Sequence, residues 1–458
     1  MRAEKTYPFR LKPSDFFSFR ALLFMYIPVV VEQLLIALLG LVDTLLASYL
    51  SDEATAAVSY VITINNWVTT FFSSMAAGGS VLTSQYIGRQ NMKQASAAAR
   101  MSLLANCALA VVFCGVLLTN RAGCLQLLLG KMEPEILTYA VDYFTFMIPS
   151  YFFYTIVYVS TASLRAQGNT KIPMVLSVIL MGSGVLLKYA FSRWLNLGVG
   201  GFSLATLIAS LATAALSVFF LLHGKKPVKV FGRDENGRFF DFSMAIHSLK
   251  VSIPVAVDNS LYQLGVILLA RLLVTYGVVH SAANGIATQL SPLQYVAGSS
   301  WGLVGLVAVS RAVGAGDLPQ AKRYFRVVAV MSYSIVLVFN VAGILFSEQL
   351  VRLFGGSEET YRIAAQMVRI YSYFAIPFYM VSFPLAELLR GAGDTNFTMW
   401  VSIFAMFVVR IGFGYVLGTI CGLGAVGLYI AMGINWVVRA GCFVWRYFSG
   451  KWQNKQVI

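Results

Sequence analysis

Two carboxylates, Glu32 and Asp43, stand inside the apolar run PVVVEQLLIALLGLVDTLLASYL, from Pro28 to Leu50. A run of that length crosses a bilayer as a helix, where a carboxylate costs about 2.5–3.5 kcal/mol on insertion scales. An acid kept at that cost either reaches headgroup water at a helix end or faces a protein-lined cavity. In a cavity it can hold a proton, a sodium ion or an organic cation. One negative charge serves only one of these at a time, so protonation weakens cation binding. The two acids are 11 residues apart. Three helical turns put them on nearly the same face, about 16 Å apart along the axis, Glu32 in the inner half and Asp43 in the outer half.

Other polar groups fall in comparable runs. Gln33 adjoins Glu32, and Asn259 and Gln263 surround Asp258 at helical spacing, where they can line a cavity or bond neighbouring helices. Glu32 has the same two readings, substrate contact or a structural bond to another helix. Lys188 shares the outer half with Asp43 and either pairs with it or snorkels to the interface. Arg410 is the deepest base and requires a partner, for which Asp258 is a candidate. Arg165 and Arg390 fall at the cytoplasmic ends of their spans, a place for headgroup contact. Tyr379 is a candidate wall for flat ligands, and Pro149, Pro377 and Pro384 are candidate kinks.

The elements that must position these residues follow from composition. Of 458 residues, 58% are hydrophobic and 12% charged. The mean hydropathy is +0.73. That excludes an ordinary soluble surface. Apolar runs predict an all-α polytopic membrane protein with twelve spans, near 20–48, 55–82, 95–119, 134–161, 172–192, 199–223, 248–276, 281–309, 322–347, 361–386, 397–418 and 423–446. No run of alternating polarity suggests a β-barrel. The polar stretch after the sixth span divides the chain into an N-terminal lobe (1–223), a cytoplasmic linker (224–247) and a C-terminal lobe (248–458). With the N-terminus inside, the inner tails and loops hold 25 Lys and Arg and the outer loops 5. Both termini are therefore expected in the cytoplasm.

The net charge of +15 sits in loops between spans, so it speaks for membrane lipid and against nucleic acid. The five cysteines lack metal or disulfide spacing, and no phosphate loop or nucleophile–base set is present. The chain is not expected to be an enzyme or to hold a metal or cofactor beyond a coupling H+ or Na+. A monomer acting on a small molecule is the expectation.

The halves match in order. SQYIGRQNMKQASAAAR from Ser84 aligns with SRAVGAGDLPQAKRYFR from Ser310, and SLRAQGNTKIPM from Ser163 with LLRGAGDTNFTM from Leu388. GVGGFSLA from Gly198 aligns with GLGAVGLY from Gly422, and Pro28 and Glu32 fall on Pro254 and Asp258. The offsets run from 224 to 226, the mark of an internal duplication. Six spans per repeat predict two parallel, pseudo-symmetric lobes about an axis along the membrane normal, with a cavity between them.

These segments, together with IPVAVDNSLYQLG and AANGIATQL in the seventh and eighth spans, resemble the multidrug and toxic compound extrusion (MATE) family of bacterial type. The resemblance covers nearly the whole chain. It implies a twelve-helix secondary antiporter that exports amphipathic, usually cationic, compounds in exchange for protons or sodium ions by alternating access. It also implies Asp43 as the coupling residue, because Asp43 lies in the LVDT stretch. Two departures disfavour sodium. Gly184 and Lys188 stand where members of the family commonly carry an Asn and an Asp, and Tyr379 replaces an acid that some carry in the tenth helix. With Lys188 and Arg410 in the walls, a flippase or exporter of lipid-linked or anionic substrates is the alternative.

Overall fold

Helix ends are set by local chemistry that recurs in both halves. Asn91 caps α3 (Met92–Thr119) by accepting from the Gln94 amide, and Asp317 caps α10 (Leu318–Leu345) by accepting from the Gln320 amide. Gly168 and Gly393 adopt φ of 86° and 100°. Each closes a helix C-terminus with the same hydrogen bonds: Gly168 N to Arg165 O and Asn169 N to Leu164 O, Gly393 N to Arg390 O and Asp394 N to Leu389 O. These caps fix Arg165 in the last turn of α5 (Pro134–Ala166) and Arg390 in the last turn of α13 (Pro384–Gly391), where a cation also suits the helix dipole.

The computed structural model describes residues 11, 15–47, 51–129, 133–195, 197–223, 228–230, 240–455 and 457–458, without the side chains of 37–45, 47, 52, 128–129 and 193. Every regular element among the described residues is helical. The remaining long helices are α1 (Phe19–Ala47), α2 (Asp52–Gly88), α6 (Lys171–Arg193), α7 (Gly198–Leu222), α8 (Phe242–Val274), α9 (Val278–Gly314), α12 (Glu358–Ser382) and α16 (Gly424–Phe448). Two short helices, α4 (Arg121–Leu129) and α11 (Ser347–Val351), follow α3 and α10. The tenth expected span is α12 plus α13, broken at Phe383 before Pro384. The eleventh runs as α14 (Thr395–Phe404), a π-helical turn at Ala405–Ile411, α15 (Gly412–Tyr415) and a second π-helical turn at Val416–Ile420. Its counterpart in the first half, α6, is α-helical throughout. All twelve expected spans are therefore helices, and ten segments among the described residues are long and apolar enough to cross a membrane. The chain is a multi-pass membrane protein.

The chain packs as two compact units: Ile27–Ala256, and Val257–Ile458 joined by the residues up to Tyr26. The chain passes from one unit to the other inside α1 and inside α8, next to Pro28 and Pro254, rather than in the polar stretch 224–247. Tyr26 stacks on Trp301 with ring centroids 4.5 Å apart and donates to Ala297 O, which seats the first turns of α1 in the second unit. The first turns of α8 belong to the first unit, where a Cβ on Gly78 would lie 2.4 Å from Ser252 Cα. Small residues let helices approach this closely where lipid supplies no hydrophobic drive. Part of the polar stretch is packed too: Val228 and Val230 are buried against Ala95, Ala99 and Leu221, and the Lys229 amide donates to Ser96 Oγ.

Candidate functional site

Proline and glycine position the same ion pair twice. In α1 the acid Glu32 comes one turn after Pro28, and in α8 Asp258 comes one turn after Pro254. The opposing arginine is the one fixed by the glycine cap. In the first unit Arg165 Nη1 donates to both carboxylate oxygens of Glu32, at 2.8 and 2.9 Å. In the second unit Arg390 Nη2 donates to Asp258 Oδ2, and its Nη1 donates to Glu387 Oε1 at 2.5 Å. Both acids are buried, but only the Arg390–Asp258 pair is enclosed on both sides; removing one partner of such a pair costs about 3–5 kcal/mol, and less at Arg165, whose side chain is 19% exposed. Arg165 and Arg390, expected at the headgroups, instead close buried pairs, because the glycine caps turn the chain only after the arginine has faced the helix core.

Each unit also encloses a cavity. In the first, Glu32, Gln33, Thr69, Tyr158, Thr161 and Arg165 help line about 280 Å³. Among the described residues that line it, Glu32 is the acid and Arg165 the base, in a wall that also carries Leu35, Ile36, Val157, Leu180 and Met181. In the second, five tyrosines, Phe383, Trp436 and Arg410 help line about 440 Å³. Tyr379, a sequence candidate, is one of these walls and stacks on Phe383 at 4.8 Å. Asn259 and Gln263 are half-buried on α8 and do not line this cavity.

Arg410 does not pair with Asp258. Its Nη1 donates to the Tyr262 hydroxyl at 2.8 Å, with the guanidinium 5.4 Å from that ring centroid. Arg390, on a rigid helix end, has already taken the aspartate. Lys188 is buried on α6 with 1% exposure, outside the lining of the first cavity. Asp43 lies in α1, three turns beyond Glu32, and its side chain is outside the described residues.

Sequence reasoning missed two members of the second cluster. Glu387 precedes Arg390 by one helical turn, an (i, i+3) pair readable from spacing. Arg439, 3% exposed, lies over the Phe383 ring at 4.7 Å and donates to Ser382 O. A signal for the ion pairs was present as well. Acid and arginine are 133 residues apart in the first half and 132 in the second, an interval that the duplication repeats.

The MatE family model matches this chain twice, over residues 28–190 and 254–416, starting 226 residues apart. The chain belongs to this family. Members are multidrug and toxic compound extrusion transporters, and the double match reproduces the duplication read from the sequence. The chain is 24% identical to the probable multidrug resistance protein NorM of Thermotoga maritima, over 96% of this chain and 94% of the relative. It is 23% identical to the probable multidrug resistance protein YoeA of Bacillus subtilis, over 97% and 96%. A MATE crystal structure in the bent conformation superposes with a TM-score of 0.87 at 19% identity, covering 96% of each chain. The MatE chain described here thus has the all-helical fold of that structure.

Proposed function

We propose that this MatE protein is a secondary active antiporter, working as a monomer. It exports amphipathic organic compounds, cations first among them, in exchange for protons by alternating access. It sits in a bacterial inner membrane with both termini in the cytoplasm. The observation that carries this reading is Glu32, a carboxylate 4% exposed at the wall of a cavity and paired there with Arg165. A cationic ligand arriving at this wall competes with Arg165 for that one charge. Asp43, on the same helix, is assigned the coupling proton, and Lys188 is assigned to hold Asp43 ionised until substrate or proton arrives. The names of the Thermotoga maritima and Bacillus subtilis relatives, probable multidrug resistance proteins, favour small-molecule export.

A second reading, export of anionic or lipid-linked compounds, is favoured by Arg410 in the second cavity. Everted vesicles loaded with a cationic dye separate the two, with proton and sodium gradients imposed one at a time. The export reading expects dye uptake that collapses when only the proton gradient is dissipated, and that Asp43→Asn abolishes. Uptake indifferent to both gradients overturns it.

A further inference from the structure

The cavity of the second unit has a chemistry unlike that of the first. Among the described residues that line it, Arg410 bears the only formal charge. The unit's nearby acids are engaged elsewhere, Asp258 and Glu387 both by Arg390. Arg410 spends one N–H on the Tyr262 hydroxyl, and its buried Nε has no hydrogen-bond partner. A guanidinium inside a membrane span ordinarily has an anion, and no carboxylate among the described residues pairs with this one. The arginine stands on the π-helical turn Ala405–Ile411, in a span whose first-half counterpart is uninterrupted. Such turns reset which side chains face inward and recur at functional sites.

The walls around it are aromatic. Tyr379 stacks on Phe383 at 4.8 Å, Trp436 meets Tyr379 edge-on at 5.7 Å, and Tyr295 lies 5.9 Å from Tyr379. Flat apolar faces with hydroxyls at their rims accept an aromatic ring and offer donors to an anionic substituent. Aromatic faces alone would attract cations, but the guanidinium at the same wall repels them. At about 440 Å³ the cavity falls within the usual range for small ligands, and the exposed Thr288 on its wall leaves a way in.

We propose that this cavity is a binding site for aromatic carboxylates. The ligand's carboxylate lies on the Arg410 guanidinium, and its ring lies against Tyr379, Phe383 and Trp436. Occupancy of this site at equilibrium is independent of whether the protein moves protons.

Calorimetric titration of the purified full chain in lipid nanodiscs tests this with three matched probes: 2-naphthoate, 2-naphthamide and 2-naphthylmethylammonium. The acid is expected to bind about tenfold tighter than the amide, and the ammonium weakest, because a charge-assisted bidentate pair is present only for the acid. Arg410→Gln removes the acid's advantage and leaves amide affinity in place, while Arg410→Lys keeps part of it. Ser291→Trp, which fills the cavity, abolishes binding of both. Equal affinity for acid and amide in the wild-type protein overturns the proposal, without recourse to any variant. So does an acid preference that survives Arg410→Gln, or binding that survives Ser291→Trp. Failure of proton-driven dye export with acid binding intact overturns the export reading alone.

Discussion

The two units carry the same ion pair and different cavities. Glu32–Arg165 and Asp258–Arg390 are built by the same parts: a proline one turn before the acid, and a positive-φ glycine capping the helix that ends in the arginine. The pair in the second unit is more elaborate, with Glu387 added to the arginine and Arg439 close by on the Phe383 ring. Among the described residues the cavities diverge further, one with an acid and a base in its wall, the other aromatic with a single cation. What the duplication holds constant is therefore the device that ties a proline-bearing helix to its neighbour. What it lets vary is the surface a ligand meets. Shared residues mark mechanics, and differing residues mark chemistry.

Removing the arginine should expose the difference between the pairs most strongly. Arg390→Met strips the buried Asp258, and Glu387 beside it, of the arginine that pairs with both. Unfolding in detergent should show a loss of about 3–5 kcal/mol. Arg165→Met, at a side chain 19% exposed, leaves one acid that water can reach, and the loss should be about 1–3 kcal/mol. A larger loss at Arg165 than at Arg390 would break the comparison. Arg410→Gln should lower stability by about 1 kcal/mol or less, or raise it, since it removes a half-buried charge that no carboxylate among the described residues pairs with. A loss as large as that of Arg390→Met would reveal a partner for Arg410 and undo the contrast between the cavities.

The smallest effect is expected in a turn. Gln90 adopts φ of 61° where its repeat counterpart is Gly316 at 75°. Gln90→Gly should stabilise by about 0.5–1 kcal/mol, and Gly316→Gln should cost about as much, since open space surrounds Gly316 and only the backbone objects. Opposite signs in thermal unfolding would show that these turns are held by something other than local strain.

Much of this was legible in the sequence, for physical reasons. Membrane spans must be apolar for their whole length, so all twelve helices could be read from hydropathy, and the segments holding Gly168 and Gly393 could be aligned as repeats. Glu32, Asp258, Arg165 and Arg390 were each conspicuous as charges near or within apolar runs. Their pairing was not, because contacts more than 130 residues apart leave no local pattern and only the repeated interval hinted at them. Arg410 drew attention for the same reason as the acids, but assigning it Asp258 followed the habit of pairing opposite charges. The phenol of Tyr262 and the ring beneath it supplied the contact instead. The π-helical turns left no sequence signal, since the residues that form them are the same apolar types that fill ordinary helices. The point at which the chain changes units was hidden too, since a polar stretch reads as a boundary even where Val228 and Val230 pack into a core.

The central claim is that a carboxylate of the first unit exchanges its proton for a cationic ligand. Proton release on ligand binding measures this without any membrane gradient. A lipophilic aromatic cation is added to the purified protein in weakly buffered detergent solution containing a pH-sensitive dye. The account predicts a proton released as each ligand binds, diminished at a pH high enough to empty the carboxylate beforehand, and absent in Asp43→Asn. Ligand binding without proton release in the wild-type protein, or release undiminished in Asp43→Asn, would contradict it.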